Sequence, residues 1–262
     1  MRYALKVYYD GRGFYGSQVQ PERRTVEGEL LEAFKAYGAH PADFKAAGRT
    51  DRGVSALGNV FAVTLDRELK VRALNSLLPR DMAVIGVQEV PEDFHPRYGA
   101  LGRVYKYFLP YQGHDVKAMR SAARILEGEH SFQNFAVLDG RNPVRRLDDI
   151  TMRRVGSSVI LTFRGRSFLR QMVRRLVTAL AMCGRGELAE AELRRYMESE
   201  ASRKLPPAEP DGLILWAVRY PFQFETDGYT MARLMERLLA RRRLLEQEAL
   251  LYREIMRTEG FL

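Results

Sequence analysis

Three charged side chains stand between two glycines in Gly48, Arg49, Thr50, Asp51, Arg52, Gly53, within a stretch from Phe44 to Phe61 that otherwise reads as strand. Glycine lets backbone approach a ligand closely, and positive neighbours favour the charged form of a carboxylate. Asp51 is therefore a candidate nucleophile or base; the same residues also suit a polar hairpin turn whose aspartate caps its own backbone. Competing chemistries lack their parts. Gly11, Gly13 and Gly16 satisfy G-x-G-x-x-G after a predicted strand, but a dinucleotide loop runs straight into the helix that holds the pyrophosphate. Here Gln18, Gln20 and Pro21 intervene before a helix that begins near Thr25, and Asp10 puts negative charge where phosphates would approach. No phosphate-binding G-x-x-x-x-G-K-[ST] loop, HExxH pair or GxSxG elbow occurs,. His40, His95, His114 and His130 show no metal-ligand spacing, and the lone Cys183 excludes an intramolecular disulfide and a multi-cysteine zinc site,. No metal site is expected, and a carboxylate mechanism is the better reading.

The elements that must position this acid belong to a chain of 262 residues, 46% hydrophobic, enough for one large domain or two modest ones,. A formal charge of +9 favours a polyanionic partner, nucleic acid being the economical choice, because phosphates gain Coulomb energy and release counterions on meeting Lys and Arg,. No segment approaches the roughly 18 apolar residues of a membrane span, so no membrane association is expected. A single cysteine and no secretory leader fit a soluble protein of the cytoplasm,.

Tyr3 to Tyr9 alternates as a half-buried strand, and Thr25 can cap a helix running to Gly38,. Ala46 to Gly48 and Asn59 to Leu65 read as strands flanking the acidic loop, Val71 to Leu78 as helix, Ala83 to Val90 and Val104 to Leu109 as strands. Val116 to Leu126 is helical, Ile150 to Arg154 and Ser158 to Arg164 a hairpin, Ser167 to Met182 and Glu190 to Met197 helices, and Leu213 to Tyr220 a last strand. The pattern predicts an α+β fold: two halves, 1–112 with the acidic loop and 113–221, sharing a mixed, largely antiparallel sheet with helices packed on it and a cleft between them. Connections as short as the one after Arg154 exclude a parallel crossover. A helical extension, 222–262, carries Met231, Leu234, Met235, Leu238, Leu245, Ala249, Tyr252 and Met256 on one face, with Arg242 interrupting the stripe. Packing onto the body or onto a partner subunit is expected of it.

The segment Gly48, Arg49, Thr50, Asp51, Gly53, Val54 resembles the G-R-T-D-x-G-V signature of the TruA family of tRNA pseudouridine synthases. Companions follow in order. Tyr9, Asp10, Gly11, Phe14, Gly16 and Gln18 resemble Y-D-G-x-x-[FY]-x-G-x-Q; Leu78, Pro79, Asp81 resemble L-P-x-D; Asp93, Phe94, His95, Arg97 resemble D-F-H-x-R. Arg103, Tyr105, Tyr107 are similar to R-x-Y-x-Y, and Phe168, Met172, Val173, Arg174 to F-x-x-x-M-V-R. Together these span about residues 3 to 221.

The resemblance implies the pseudouridine synthase fold and isomerisation of uridine to pseudouridine at positions 38 to 40 of the anticodon stem-loop, by a homodimer gripping tRNA, without a cofactor. Asp51 would be the catalytic aspartate, Arg174 its partner, Tyr105 a support for the target base, and Arg49 a wedge that helps draw the nucleotide from the stack. Filling the vacated stack offsets part of the few kcal/mol, roughly, that eversion costs. Arg12, Gln18, Arg52, His95, Arg97 and Arg103 are expected among the substrate-binding residues. Arg23, Arg24, Arg141, Arg145, Arg146, Arg166, Arg170 and Arg175 are candidates, with Arg12 and Arg174, for a basic surface. Phe168 and Met172 read as an apolar pair orienting the helix that carries Arg174. Arg52 replaces the family's usual small residue, Ser55 a common histidine, and Ser17 a frequent tryptophan. The alternatives from other classes are a non-catalytic RNA-binding or chaperone module and a nicotinamide oxidoreductase using the loop from Gly11 to Gly16.

Overall fold

A computed structural model of the chain describes residues 1–198 and 204–258. The first alternating stretch forms β1 (Arg2–Tyr9), with Leu5, Val7 and Tyr9 fully buried. α1 (Val26–Tyr37) has the expected stops: Thr25 accepts a hydrogen bond from Gly28 N, and Gly38 ends the helix in the left-handed region, which suits glycine,. β2 (Ala42–Ala46) and β3 (Ser55–Thr64) flank the acidic loop. The first of them lies earlier than Ala46 to Gly48, because its ladder to β3 is confined to Ala42 through Ala46. α2 (Val71–Leu77) and β4 (Met82–Val90) follow.

Next come β5 (Gly102–Pro110), α3 (Val116–Leu126), β6 (Gly128–Ser131), β7 (Val144–Val155), β8 (Ser158–Gly165) and α4 (Met172–Gly184), then α5 (Glu190–Glu198), β9 (Leu213–Arg219) and α6 (Gly228–Thr258). β6, short and polar, has no periodicity to betray it. α4 starts five residues later than the helical pattern at Ser167 suggested. Arg170 pairs with Val137 in a β-bridge and Gln171 sits at φ 61°, so the preceding stretch is held as a loop.

The nine strands among the described residues make one sheet, ordered β4-β1-β3-β9-β5-β8-β7-β6, with β2 beside β3. Every pairing is antiparallel except β3 with β9, which is parallel at Ser55 with Ile214 and Ala56 with Leu215. The fold is thus α+β on a central mixed sheet, as expected. The last strand in sequence joins the strand set β1 to β4 to the set β5 to β8. One face carries the main core, including Leu5, Val7, Tyr9, Phe61, Met82 and Val84 beneath α1 and α2, and Phe163, Leu176 and Leu180 where α3 and α4 pack.

α6 takes the opposite face. The pleat turns Ala83 and Ile85 away from the main core, and Leu234 packs on them, with Tyr8, Leu57 and Leu238 at the margin,. Its first turn is fixed by Asp227, which accepts from Thr230 N and Oγ1 and from Arg72. From Leu239 to Thr258 every side chain is exposed. Of the expected apolar stripe only its start meets the body, because the sheet ends there. Among the described residues no helix is long and apolar enough to cross a membrane.

Candidate active site

The loop from Gly48 to Val54 is held from below and from the side. Below it, Tyr9 OH shares a 2.9 Å hydrogen bond with Thr50 Oγ1, while Asn59 Nδ2 donates to Tyr9 OH and to Gly48 O, each at 3.1 Å. Burial pushes the Tyr9 phenol far above its usual range, so it stays a neutral donor,. From the side, Thr50 N donates to Ser17 Oγ at 2.8 Å and Ser17 N to Thr50 O at 3.1 Å. Val54 N donates back to Asp51 O, closing a turn in which Gly53 adopts φ 83°. Gly11 is required by close approach: a Cβ there would lie 2.2 Å from the Val54 carbonyl carbon. Gly11 and Gly16, two of the three glycines resembling a dinucleotide loop, therefore serve the packing of the acidic loop against the end of β1.

Asp51 opens onto a cavity of about 1310 Å³. Across it, Arg174 from the first turn of α4 donates Nη1 to Asp51 Oδ2 at 3.0 Å and Nε to Ala208 O at 2.6 Å. The Arg174 side chain is 12% exposed and that of Asp51 30%, so the pair is partly shielded while one flank of the acid stays open. A guanidinium gripped by backbone on one edge aims the carboxylate with the other, which a flexible ammonium would do less well. Tyr105 on β5 lines the same cavity, its ring edge-on to Phe168 at 5.0 Å. Burial, opposed by Arg103 and aided by Asp51, pushes its phenol up to about 12. Phe168 lies in the loop before α4 and buttresses Tyr105, so the expected helical pairing of Phe168 with Met172 is corrected: Gln171 interrupts the coil between them.

The other expected residues have varied surroundings. Arg49 is exposed at the cavity wall and has no carboxylate partner among the described residues. Arg52 also lines it, with its guanidinium 4.4 Å from the centre of the Tyr15 ring; Arg23 lies 4.7 Å from the same ring. Arg12 lines the rim but is engaged by Asp10, and Gln18 is exposed beside it. His95 and Arg97 are both present, and His95 Nδ1 accepts from Arg97 N. Burial, with Lys45 nearby, pulls the His95 imidazole below its ordinary value. Arg103 is buried; Nη1 donates to Arg166 O, and Nη2 to Ala47 O and Arg97 O. Its guanidinium ties three cavity-wall segments together.

Of the basic surface, Arg12, Arg141, Arg166, Arg170 and Arg174 reach the cavity. Arg24 instead bridges Asp81 and Glu29, and Arg175 donates to Leu205 O and Gln171 Oε1. Arg145 bonds carbonyls of Asn142 and Val144. Among the described residues nine arginines line the cavity against four acids, Glu27, Asp51, Asp139 and Asp211, an excess that suits a polyanion,. Among the described residues no group of His, Cys, Asp and Glu could hold a metal ion.

The family described as tRNA pseudouridine synthase matches residues 122–221, which contain Arg174. Curated relatives extend the match over nearly the whole chain: tRNA pseudouridine synthase A of Pyrococcus furiosus is 41% identical over 264 residues, 99% of either chain. This chain belongs to the tRNA pseudouridine synthase A family. Its relative from Thermococcus sibiricus is 44% identical over 96% of this chain and 97% of its own, and that from Pyrococcus abyssi 45% over 84% and 85%. A crystal structure of the archaeal box H/ACA sRNP Nop10-Cbf5 complex aligns with 69% of this chain and 43% of that chain at 13% identity, with a TM-score of 0.36, too slight a likeness to carry weight.

Membership of the pseudouridine synthase A family makes the chain an enzyme and accounts for the motif order. The coverage of the Pyrococcus furiosus relative shows that the C-terminal extension is not peculiar to this member of the family. Sequence reasoning missed several residues of the site. Ser17, standing where the family often has tryptophan, accepts the Thr50 N hydrogen bond with its hydroxyl. Tyr9 stood out only as the first residue of the Y-D-G motif, with no sign of its bond to Thr50, and Asn59 gave no signal beyond strand alternation, although a buried asparagine in an apolar strand is a flag for a polar network,. Tyr15 and Tyr98, both on the cavity wall, were not singled out.

Proposed function

We propose that this enzyme isomerises uridine to pseudouridine at positions 38 to 40 of the tRNA anticodon stem-loop, with Asp51 as the nucleophile or base. The observation that carries this reading is the Arg174 guanidinium 3.0 Å from Asp51, within one arginine-rich cavity that also holds Tyr105. The glycosidic bond must break and the base turn before it rejoins through carbon. Attack on uracil, attack on ribose and removal of a sugar proton all need an aimed carboxylate and no redox cofactor. Arg174 fixes the oxygens, Tyr105 supports the everted base, and Arg49, unpaired and exposed, fills the vacated stack. Phosphate contacts through unpaired cavity arginines suit recognition by shape, which lets adjacent uridines share one site.

The reading includes a homodimer in the cytoplasm and a division into halves 1–112 and 113–221 with an extension 222–262. The experiment is incubation of unmodified tRNA with wild type and with Asp51→Asn, followed by mapping of pseudouridine. Product at positions 38 to 40 from wild type and none from the variant is expected; RNA binding without any conversion by wild type would instead support the non-catalytic module.

A further inference from the structure

We infer that Tyr98 forms a nucleobase platform at the mouth of the catalytic cavity, stacking an unpaired base next to the everted uridine. The inference rests on the RNA substrate proposed above. Tyr98 is 74% exposed and lines the same cavity as Asp51. An aromatic ring left mostly in water beside a polar, arginine-rich cavity buries little apolar surface of its own, whereas every nucleobase offers a π-face to such a ring.

The ring has contacts that favour one orientation, as a platform requires. His95 lies beneath it, ring centres 4.4 Å apart, and the Arg97 guanidinium is 5.8 Å from the ring centre. The loop that carries it is tied at three successive points. Gly99 N donates to His95 O at 2.9 Å, Tyr220 OH to Pro96 O at 2.5 Å, and buried Arg103 to Arg97 O at 3.1 Å. A rigid aromatic loses little entropy when a base settles on it, and Arg97 adds a cation beside the base's phosphate.

Tyr15 provides the contrast. Its ring is approached by two guanidinium groups, Arg52 at 4.4 Å and Arg23 at 4.7 Å, which crowd it more closely than Arg97 at 5.8 Å crowds Tyr98. Stacking is indifferent to base identity, so a platform at Tyr98 would help hold the loop open without restricting which uridine is converted.

The test uses the full chain and an anticodon stem-loop RNA carrying 2-aminopurine next to the target uridine. Tyr98→Leu keeps bulk without the ring; Tyr98→Phe keeps the ring without the hydroxyl. Loss of one stacked base is expected to weaken RNA binding about 5- to 150-fold in Tyr98→Leu, with Tyr98→Phe close to wild type. Quenching of 2-aminopurine should be present in wild type and Tyr98→Phe and lost in Tyr98→Leu. Equal binding and quenching by Tyr98→Leu and wild type would overturn the platform, as would a Tyr98→Phe defect as large as that of Tyr98→Leu. A loss of binding in Tyr98→Leu that tracks a change in sedimentation would also overturn it, making the residue a subunit contact. Pseudouridine formation by wild type is scored separately, so a ring-dependent binding effect without conversion would uphold the platform and refute the proposed activity.

Discussion

Arg174→Leu removes the group that holds the Asp51 carboxylate, the acid proposed above as nucleophile or base. In the folded protein the guanidinium donates to Asp51 at 3.0 Å and to the carbonyl of Ala208 at 2.6 Å, with the arginine side chain 12% and the aspartate 30% exposed. A hydrogen bond to a charged group contributes about 1.5–3 kcal/mol. If that orientation is required in the transition state, a factor of ten per 1.36 kcal/mol makes the loss roughly 10- to 150-fold in the single-turnover rate. Leaving the Ala208 carbonyl without its side-chain donor costs about 1 kcal/mol or more, and this appears in denaturant stability rather than in rate. Arg174→Lys keeps the charge without the fork, so its rate should fall between those of Arg174→Leu and wild type. The assay is pseudouridine formation with enzyme in excess, at several tRNA concentrations, after circular dichroism has shown a native fold. A rate within threefold of wild type, or a defect confined to the half-saturating tRNA concentration, would refute the aiming role.

Gly11→Ala drives a methyl group to 2.2 Å from the Val54 carbonyl carbon, so backbone must shift and the acidic loop with it; a large loss of rate and a lower melting temperature are expected by kinetics and calorimetry. The folded-state value of His95 lies below 6.5, so its contribution to stability is complete above pH 6.5 and lost as pH falls through the folded value,. The melting temperature should therefore drop more steeply between pH 7 and 5 in wild type than in His95→Gln. The Tyr105 phenol, raised to about 12, contributes stability below pH 10 that disappears as pH rises through 12,. Thermal melts should show wild type losing stability relative to Tyr105→Phe above pH 10, while the rate of Tyr105→Phe remains within severalfold of wild type if the ring, and not the hydroxyl, supports the base,.

What the sequence made legible was local chemistry. The glycines and charges around Asp51 marked the loop, the hydroxyl of Thr25 and Gly38 marked both ends of α1, and the short link after Arg154 marked an antiparallel hairpin. Residues whose role depends on a distant partner were harder to read. Nothing local in Arg103 tells that its guanidinium will turn inward to three carbonyls, or in Ser17 that Thr50 will meet it. α4 starts late because a bridge to Val137, far away in sequence, overrides helix-forming side chains,. For α6 the apolar stripe was visible, but the point where the supporting sheet gives out was not, since helical periodicity says nothing about where a neighbour ends,.

The position of β9 has a consequence for biosynthesis. Because this strand bridges β3 and β5, a ribosome must release residues 213–219 before the sheet can become continuous. Until then the strand that follows the acidic loop presents an unfilled edge, and nascent chains shorter than this carry Asp51 and Arg174 without the seam that registers one against the other. Translation that stops ahead of Leu213 should therefore produce no partial enzyme, only material prone to edge-to-edge association.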